Sequence, residues 1–145
     1  MSTKRPEEIW FAHYLARIHV DGSDSDGAFA LTEMEAERFD GPMHVHDRES
    51  ETFYVLEGSL TVHTDEVTVT LDPGDSFLTP RGTPHRYAVT SDRARWLMLS
   101  APAGFENLIR EAGVPAQSPT LPPPGVVPDA AANEGVSARH GVTYL

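Results

Sequence analysis

Three histidines and a glutamate, offered from two short stretches, have the right chemistry to hold one divalent transition metal. The first stretch is His44-Val45-His46, followed by Glu51 and closed by Gly58; the second runs from Gly74 through Pro80 and Gly82 to His85. Imidazole and carboxylate together suit such ions. Side chains at i and i+2 of a strand share a face, so His44 and His46 point the same way and can reach one ion. The chain has room to bend between His46 and Glu51 and return a carboxylate. Pro80-Arg81-Gly82-Thr83-Pro84 fixes a rigid turn just before His85. A lone His-x-His would equally suit two polar residues on an exposed face, and each further ligand type argues against that.

The elements that must position these groups read mostly as strands. Ile9 to Val20, rich in aromatic and β-branched residues, reads as one strand, and Asp21 to Gly27 as a loop. That loop lacks the glutamate that would close a calcium-binding EF-hand loop. Ala28 to Arg38 reads as extended, although Glu33 to Ala36 would also suit a helix. Short runs follow at 43–46, 52–56, 59–64, 66–71, 76–80, 85–90 and 93–100, separated by turn residues such as Asp72-Pro73-Gly74 and Ser91-Asp92. Such spacing indicates an all-β sandwich or barrel. Phe105 to Glu111 suits a helical turn or two ended by Gly113 and Pro115. Residues 114–128 carry six prolines, a composition that reads as an extended strap over the body or a polyproline ligand for a partner. Asp129 is placed to cap a short helix running to Arg139.

Composition narrows the function classes. At 145 residues the chain is expected to form a single domain that buries roughly 68–70% of its unfolded surface. Acidic residues outnumber basic ones 22 to 11, a net charge of -11, which disfavours nucleic acid and anionic membranes as partners. With no cysteine, disulfides, thiolate metal sites and cysteine nucleophiles are excluded. No apolar run serves as a signal peptide or a membrane span, so a soluble, cytoplasmic protein is expected. There is no phosphate-cradling glycine loop, no dinucleotide fingerprint and no arguable Ser-His-Asp order.

The two stretches resemble the paired motifs of the cupin superfamily. His44, His46, Glu51 and Gly58 fall in register on the first motif, and Gly74, Pro80, Gly82 and His85 on the second; together they span roughly residues 41–89. Two positions depart from the pattern: Arg38 stands where the opening glycine belongs, Gly41 being the nearest glycine, and Val89 replaces the closing asparagine. Glu51-Thr52-Phe53-Tyr54-Val55-Leu56-Glu57-Gly58 and the Arg139-His140-Gly141-Val142 segment are similar to the small single-domain, quercetin-dioxygenase-like group.

The resemblance implies an all-β jelly-roll barrel with short carboxy-terminal helical segments. It implies one divalent metal bound by His44, His46, Glu51 and His85, a small-molecule substrate and a homodimer. Such a ligand set leaves open positions on a six-coordinate ion, which suits iron, manganese, nickel or cobalt better than tetrahedral zinc. Glu51 and Tyr87 are the candidate catalytic residues, Tyr87 being equally suited to a core position with a bonded hydroxyl. Phe53, Val55, Phe77, Tyr87 and Val89 are candidate pocket lining. The dimer is also suggested by Tyr54 and Leu56, bulky residues on the face opposite Phe53 and Val55, unless the strap covers them. His13, His19, His63 and His140 are expected at the surface, and Arg48 and Glu49 in solvent. The leading expectation is a quercetinase-like dioxygenase; the alternatives are a non-oxidative metal-dependent isomerase, cyclase or lyase, and a small-molecule-binding cupin without turnover.

Overall fold

Period-two burial governs most of the chain, and the result is an all-β jelly roll. A computed structural model describes residues 3–127 and 130–145. Its strands are β1 (Glu7–Phe11), β2 (Tyr14–Val20), β3 (Ala30–Asp40), β4 (His44–His46), β5 (Ser50–Glu57), β6 (Leu60–Thr64), β7 (Thr68–Leu71), β8 (Ser76–Thr79) and β9 (His85–Ala101). Helix α1 (Phe105–Ala112), strand β10 (Val114–Pro115), helix α2 (Ala130–Arg139) and strand β11 (Val142–Tyr144) complete it. Among the described residues, no helix is long and apolar enough to cross a membrane.

All the strand pairing is antiparallel, in the order β10-β1-β2-β3-β9-β4-β11. Strand β9 ties the barrel together. It runs beside β3 along one edge, and its other edge takes β6 in its first half and β5 in its second. Strand β7 forms a hairpin with β6, and β8 pairs with the far edge of β5. The core between the layers holds Trp96, Phe53, Leu15, Met34, Leu60 and Met98, each no more than 1% exposed.

Three features differ from the sequence reading. Ile9 to Val20 is a hairpin, because Ala12 takes a left-handed φ of 51° and turns β1 into β2 without glycine or proline. Ser91-Asp92 is not a turn; it lies within β9, where a register shift against β3 between Glu37 and Phe39 marks a bulge. The proline-rich strap begins inside the sheet: Val114 and Pro115 pair with β1 at the open edge, where a proline costs no ladder bond. Beyond it the indole of Trp10 donates to the Thr120 carbonyl at 2.7 Å. Pro128 and the proposed Asp129 cap lie outside the described residues.

Glu33 to Ala36, which also suited a helix, is extended. Met34 and Ala36 are buried, while Glu33 and Glu35 face out to Arg17, Arg93 and Arg95. Burial alternation outweighs helix propensity here. At the other terminus, β11 pairs with β4 and brings the carboxy-terminal residues beside His44 and His46.

Candidate metal centre

Strand register brings the four motif residues to one place. His44 on β4 stands opposite His85 on β9, and Glu51 on β5 stands between Thr79 of β8 and Ser100 of β9. His46 shares the face of His44, as period two requires. One ligand atom from each of His44, His46, Glu51 and His85 lies within 4.8 Å of the others, and all four residues are buried. Glu51 Oε2 is 3.1 Å from His85 Nε2. Glu51 Oε1, 3.3 Å from His46 Nε2, has no hydrogen-bond partner although the residue is only 1% exposed.

The far nitrogen of each ring is tied down. His44 Nδ1 donates to the Pro42 carbonyl and His85 Nδ1 to the Thr83 carbonyl, both at 2.9 Å, and His46 Nδ1 donates to Glu49 Oε1 at 2.7 Å. An acceptor at every Nδ1 fixes the proton there and leaves the Nε2 lone pairs for the interior. Three inward lone pairs and a buried carboxylate with an orphaned oxygen are a donor set that fits a divalent metal.

Electrostatics follow from burial and crowding. Burial, helped by neighbouring His85, holds the His44 imidazole down to about 4. Burial pulls His46 down too, but the Glu51 and Glu49 carboxylates outweigh it and the net shift is upward. For Glu51, burial acts upward, and the surrounding histidines, His46 first, bring the net shift down. The carboxylate is therefore ionised at neutral pH, ready for a cation.

A cavity of about 640 Å³ opens onto this cluster, with His44, His46 and Glu51 in its wall. The rest of the wall is mainly apolar: Phe11, Met98, Phe105, Leu108, Val142 and Leu145. Two tyrosines add polar groups to it, the Tyr87 hydroxyl donating to the Tyr14 hydroxyl at 3.0 Å. Burial pushes both phenols well above their ordinary range, so both stay neutral. Tyr144, Asn133 and Glu134 extend the wall, so the carboxy-terminal segment helps build the cavity instead of lying outside the barrel.

Of the predicted pocket residues, Tyr87 reaches this cavity and the other four do not. Phe53, Val55 and Val89 are core residues, no more than 1% exposed, and Phe77 borders a separate hollow of about 340 Å³ near Thr64 and Pro80. They share the inward face, but they sit at a depth that other side chains fill. Glu49, expected in solvent, is 3% exposed and bonded to His46. The signal for it was parity, since Glu49 continues the inward series Glu51, Phe53, Val55. His13 is exposed as expected yet sits at the cavity rim, its ring 4.5 Å from that of Phe39. Tyr14, Phe105 and Met98 come from distant elements and carried no local signal.

A double-stranded barrel with a His/Glu cluster facing its cavity defines a class, and the chain belongs to the cupin superfamily. Residues 30–100 match the cupin domain family. The chain is 33% identical over 109 residues to a quercetin 2,3-dioxygenase of Bacillus subtilis (strain 168), an alignment covering 74% of this chain and 32% of that enzyme. The chain thus spans about a third of the length of that relative. Among solved structures it resembles the polyketide cyclase RemF from Streptomyces resistomycificus, with 27% identity, TM-score 0.54, and coverage of 68% of this chain and 70% of that one. An RmlC-like cupin from Shewanella frigidimarina NCIMB 400 shares the fold at 22% identity and TM-score 0.59, with coverage of 70% and 88%.

Proposed function

We propose that this protein is a metal-dependent dioxygenase of the quercetinase type, acting on a small hydroxylated aromatic molecule. The observation that carries the reading is the buried His44, His46, Glu51, His85 cluster opening directly onto a cavity walled by aromatic and aliphatic side chains. The likeness to the quercetin 2,3-dioxygenase supports the same reading. Iron, manganese, nickel or cobalt fits the donor set, held by the three Nε2 atoms and the Glu51 carboxylate. Such an ion would supply Lewis-acid activation of a substrate oxygen and a route for electrons.

The chain's own groups divide the remaining work. Phe11, Phe105, Met98 and Leu108 take a flat apolar body and keep water away from it. Glu51 Oε1, with no hydrogen-bond partner, accepts the proton of an incoming phenol or enol. Because Tyr87 spends its proton on Tyr14, the Tyr14 hydroxyl is the one left to donate to a substrate oxygen.

Oxygen uptake by the metal-reconstituted protein tests this, with flavonols and enediols as candidate substrates. Uptake matched to substrate loss is expected; no uptake with any of the four metals would overturn it. A second reading, a non-oxidative cyclase, draws on the likeness to RemF and the same aromatic-lined cavity. Product formation under strict anoxia would select it. A binding protein without turnover would instead return its ligand unchanged.

Self-association belongs to the proposal as well. Tyr54, Leu78 and Leu99 are 43%, 55% and 37% exposed on the outer face of β5, β8 and β9, uncovered by the described part of the strap. A second copy seated there would bury them. Light scattering should report a dimer that Leu78→Glu dissociates; a wild-type monomer at every concentration would remove the idea.

A further inference from the structure

We propose that Glu49 is a positioning residue for the centre, acting through His46 to balance the charge of the bound ion and strengthen its hold. The inference rests on the metal reading above and goes beyond it, because Glu49 lies outside the ligand set. The three histidines present Nε2 inward alike, yet only two are anchored by neutral groups, the Pro42 and Thr83 carbonyls at 2.9 Å. His46 is anchored by a carboxylate at the shorter distance of 2.7 Å. Both partners of that bond are 3% exposed.

A carboxylate at that depth needs a counter-charge. Among the described residues, His46 is the only basic group within ion-pair distance of Glu49. An ion on the opposite nitrogen of the same ring supplies the charge through the imidazole. A divalent ion would then be balanced by two carboxylates, Glu51 directly and Glu49 through His46, leaving a neutral unit inside an apolar wall. Two consequences follow from general metal chemistry. A ring hydrogen-bonded to a carboxylate is the more basic donor, so the ion is held more tightly. Extra negative charge also favours the higher oxidation state, so the potential of a bound redox couple falls.

Glu49→Gln separates charge from shape, since the amide oxygen can still accept the Nδ1 proton. Three measurements are made on the whole chain beside wild type and a surface control, Glu66→Gln. They are Co(II) affinity by chelator competition, the reduction potential of the iron-loaded protein, and thermal unfolding of the metal-free protein. The variant is expected to bind Co(II) about 10–100-fold more weakly. Its iron potential should move positive, a readout that a purely packing role leaves unmoved.

Wild-type affinity and potential in the variant would overturn the role of Glu49 while leaving the metal reading intact. Weaker binding with an unmoved potential and lowered metal-free stability would also overturn it, in favour of a packing role. No Co(II) or iron binding by wild type would remove both. Should the variant not fold, proton NMR of the Co(II)-loaded wild type decides. One exchangeable imidazole proton should stand apart from the other two and exchange most slowly, and three alike would overturn the proposal.

Discussion

The Tyr14–Tyr87 pair offers a direct test of how the cavity wall is organised. Tyr87 donates to Tyr14 over 3.0 Å, and the two residues are 8% and 7% exposed. Removing one hydroxyl leaves the other without its partner in a nearly dry place, which costs about 1–3 kcal/mol. Removing both takes away the bond together with the need for it, which is close to neutral. Tyr14→Phe and Tyr87→Phe are each expected to lower stability by about 1–3 kcal/mol, and the double variant by less than the sum of the two. In a chain of this length that is about 2–4 °C of Tm per kcal/mol, within reach of urea or thermal unfolding of the metal-free protein. The rings remain, so the edge-on contacts of residue 87 with His44 and Trp96 and of residue 14 with Phe39 persist, and metal affinity should not move. A double variant that costs the full sum would refute the reasoning, because each hydroxyl would then have its own independent partner.

Three further outcomes follow from the same geometry. Glu51→Gln should keep much of the metal yet lose about 10²–10⁴-fold in turnover, the usual worth of a general base, whereas Glu51→Ala should lose metal as well; a Gln variant at the wild-type rate would make Glu51 a ligand only. Metal affinity should weaken as pH falls, because protons compete with the ion for the Nε2 lone pair of His46, whose value is raised, whereas His44, held at about 4, takes up a proton only at much lower pH. Calorimetry in two buffers reads the proton release, and affinity rising as pH falls would contradict it. Gly58→Ala should destabilise the fold by at least about 1–2 kcal/mol in urea unfolding, the cost of a left-handed alanine at φ 74°, before adding a Cβ only 2.2 Å from the Arg93 carbonyl oxygen; a change under about 0.5 kcal/mol would mean β9 yields freely.

What the sequence made legible was what period and spacing encode. The histidine pair, Glu51 and His85 could be brought together because two residues along a strand return to one face and a proline-glycine turn is rigid. The hairpin at Ala12 was not legible, since aromatic and β-branched residues continue through it without a breaker. Phe53, Val55 and Val89 show a second limit. Parity assigns a side chain to the inside of a barrel but says nothing of its depth, and depth separates cavity wall from core. The residues that do shape the cavity, Tyr14, Phe105, Met98 and Tyr144 among them, come from β2, α1, β9 and β11. Only the closed barrel brings them near His44.

The bulge in β9 ties these observations into one construction. In the first half of that strand the buried series is odd, His85, Tyr87 and Val89; in the second it is even, Ala94, Trp96, Met98 and Ser100. A regular strand would send one of the two series to solvent, because every side chain on it alternates. The irregularity between Val89 and Arg93 moves the second series to the inside. It is received by Gly58, where a Cβ would sit 2.2 Å from the Arg93 carbonyl oxygen and 2.8 Å from Ala94 Cα. The glycine that closes the first motif is thus fixed by the strand that carries the histidine ending the second. One seventeen-residue strand can thereby present His85 to the cluster, Tyr87 and Met98 to the cavity and Trp96 to the core. The co-occurrence of the two motifs in one chain then has a structural reason besides the metal, since each half needs the other to turn its side chains inward.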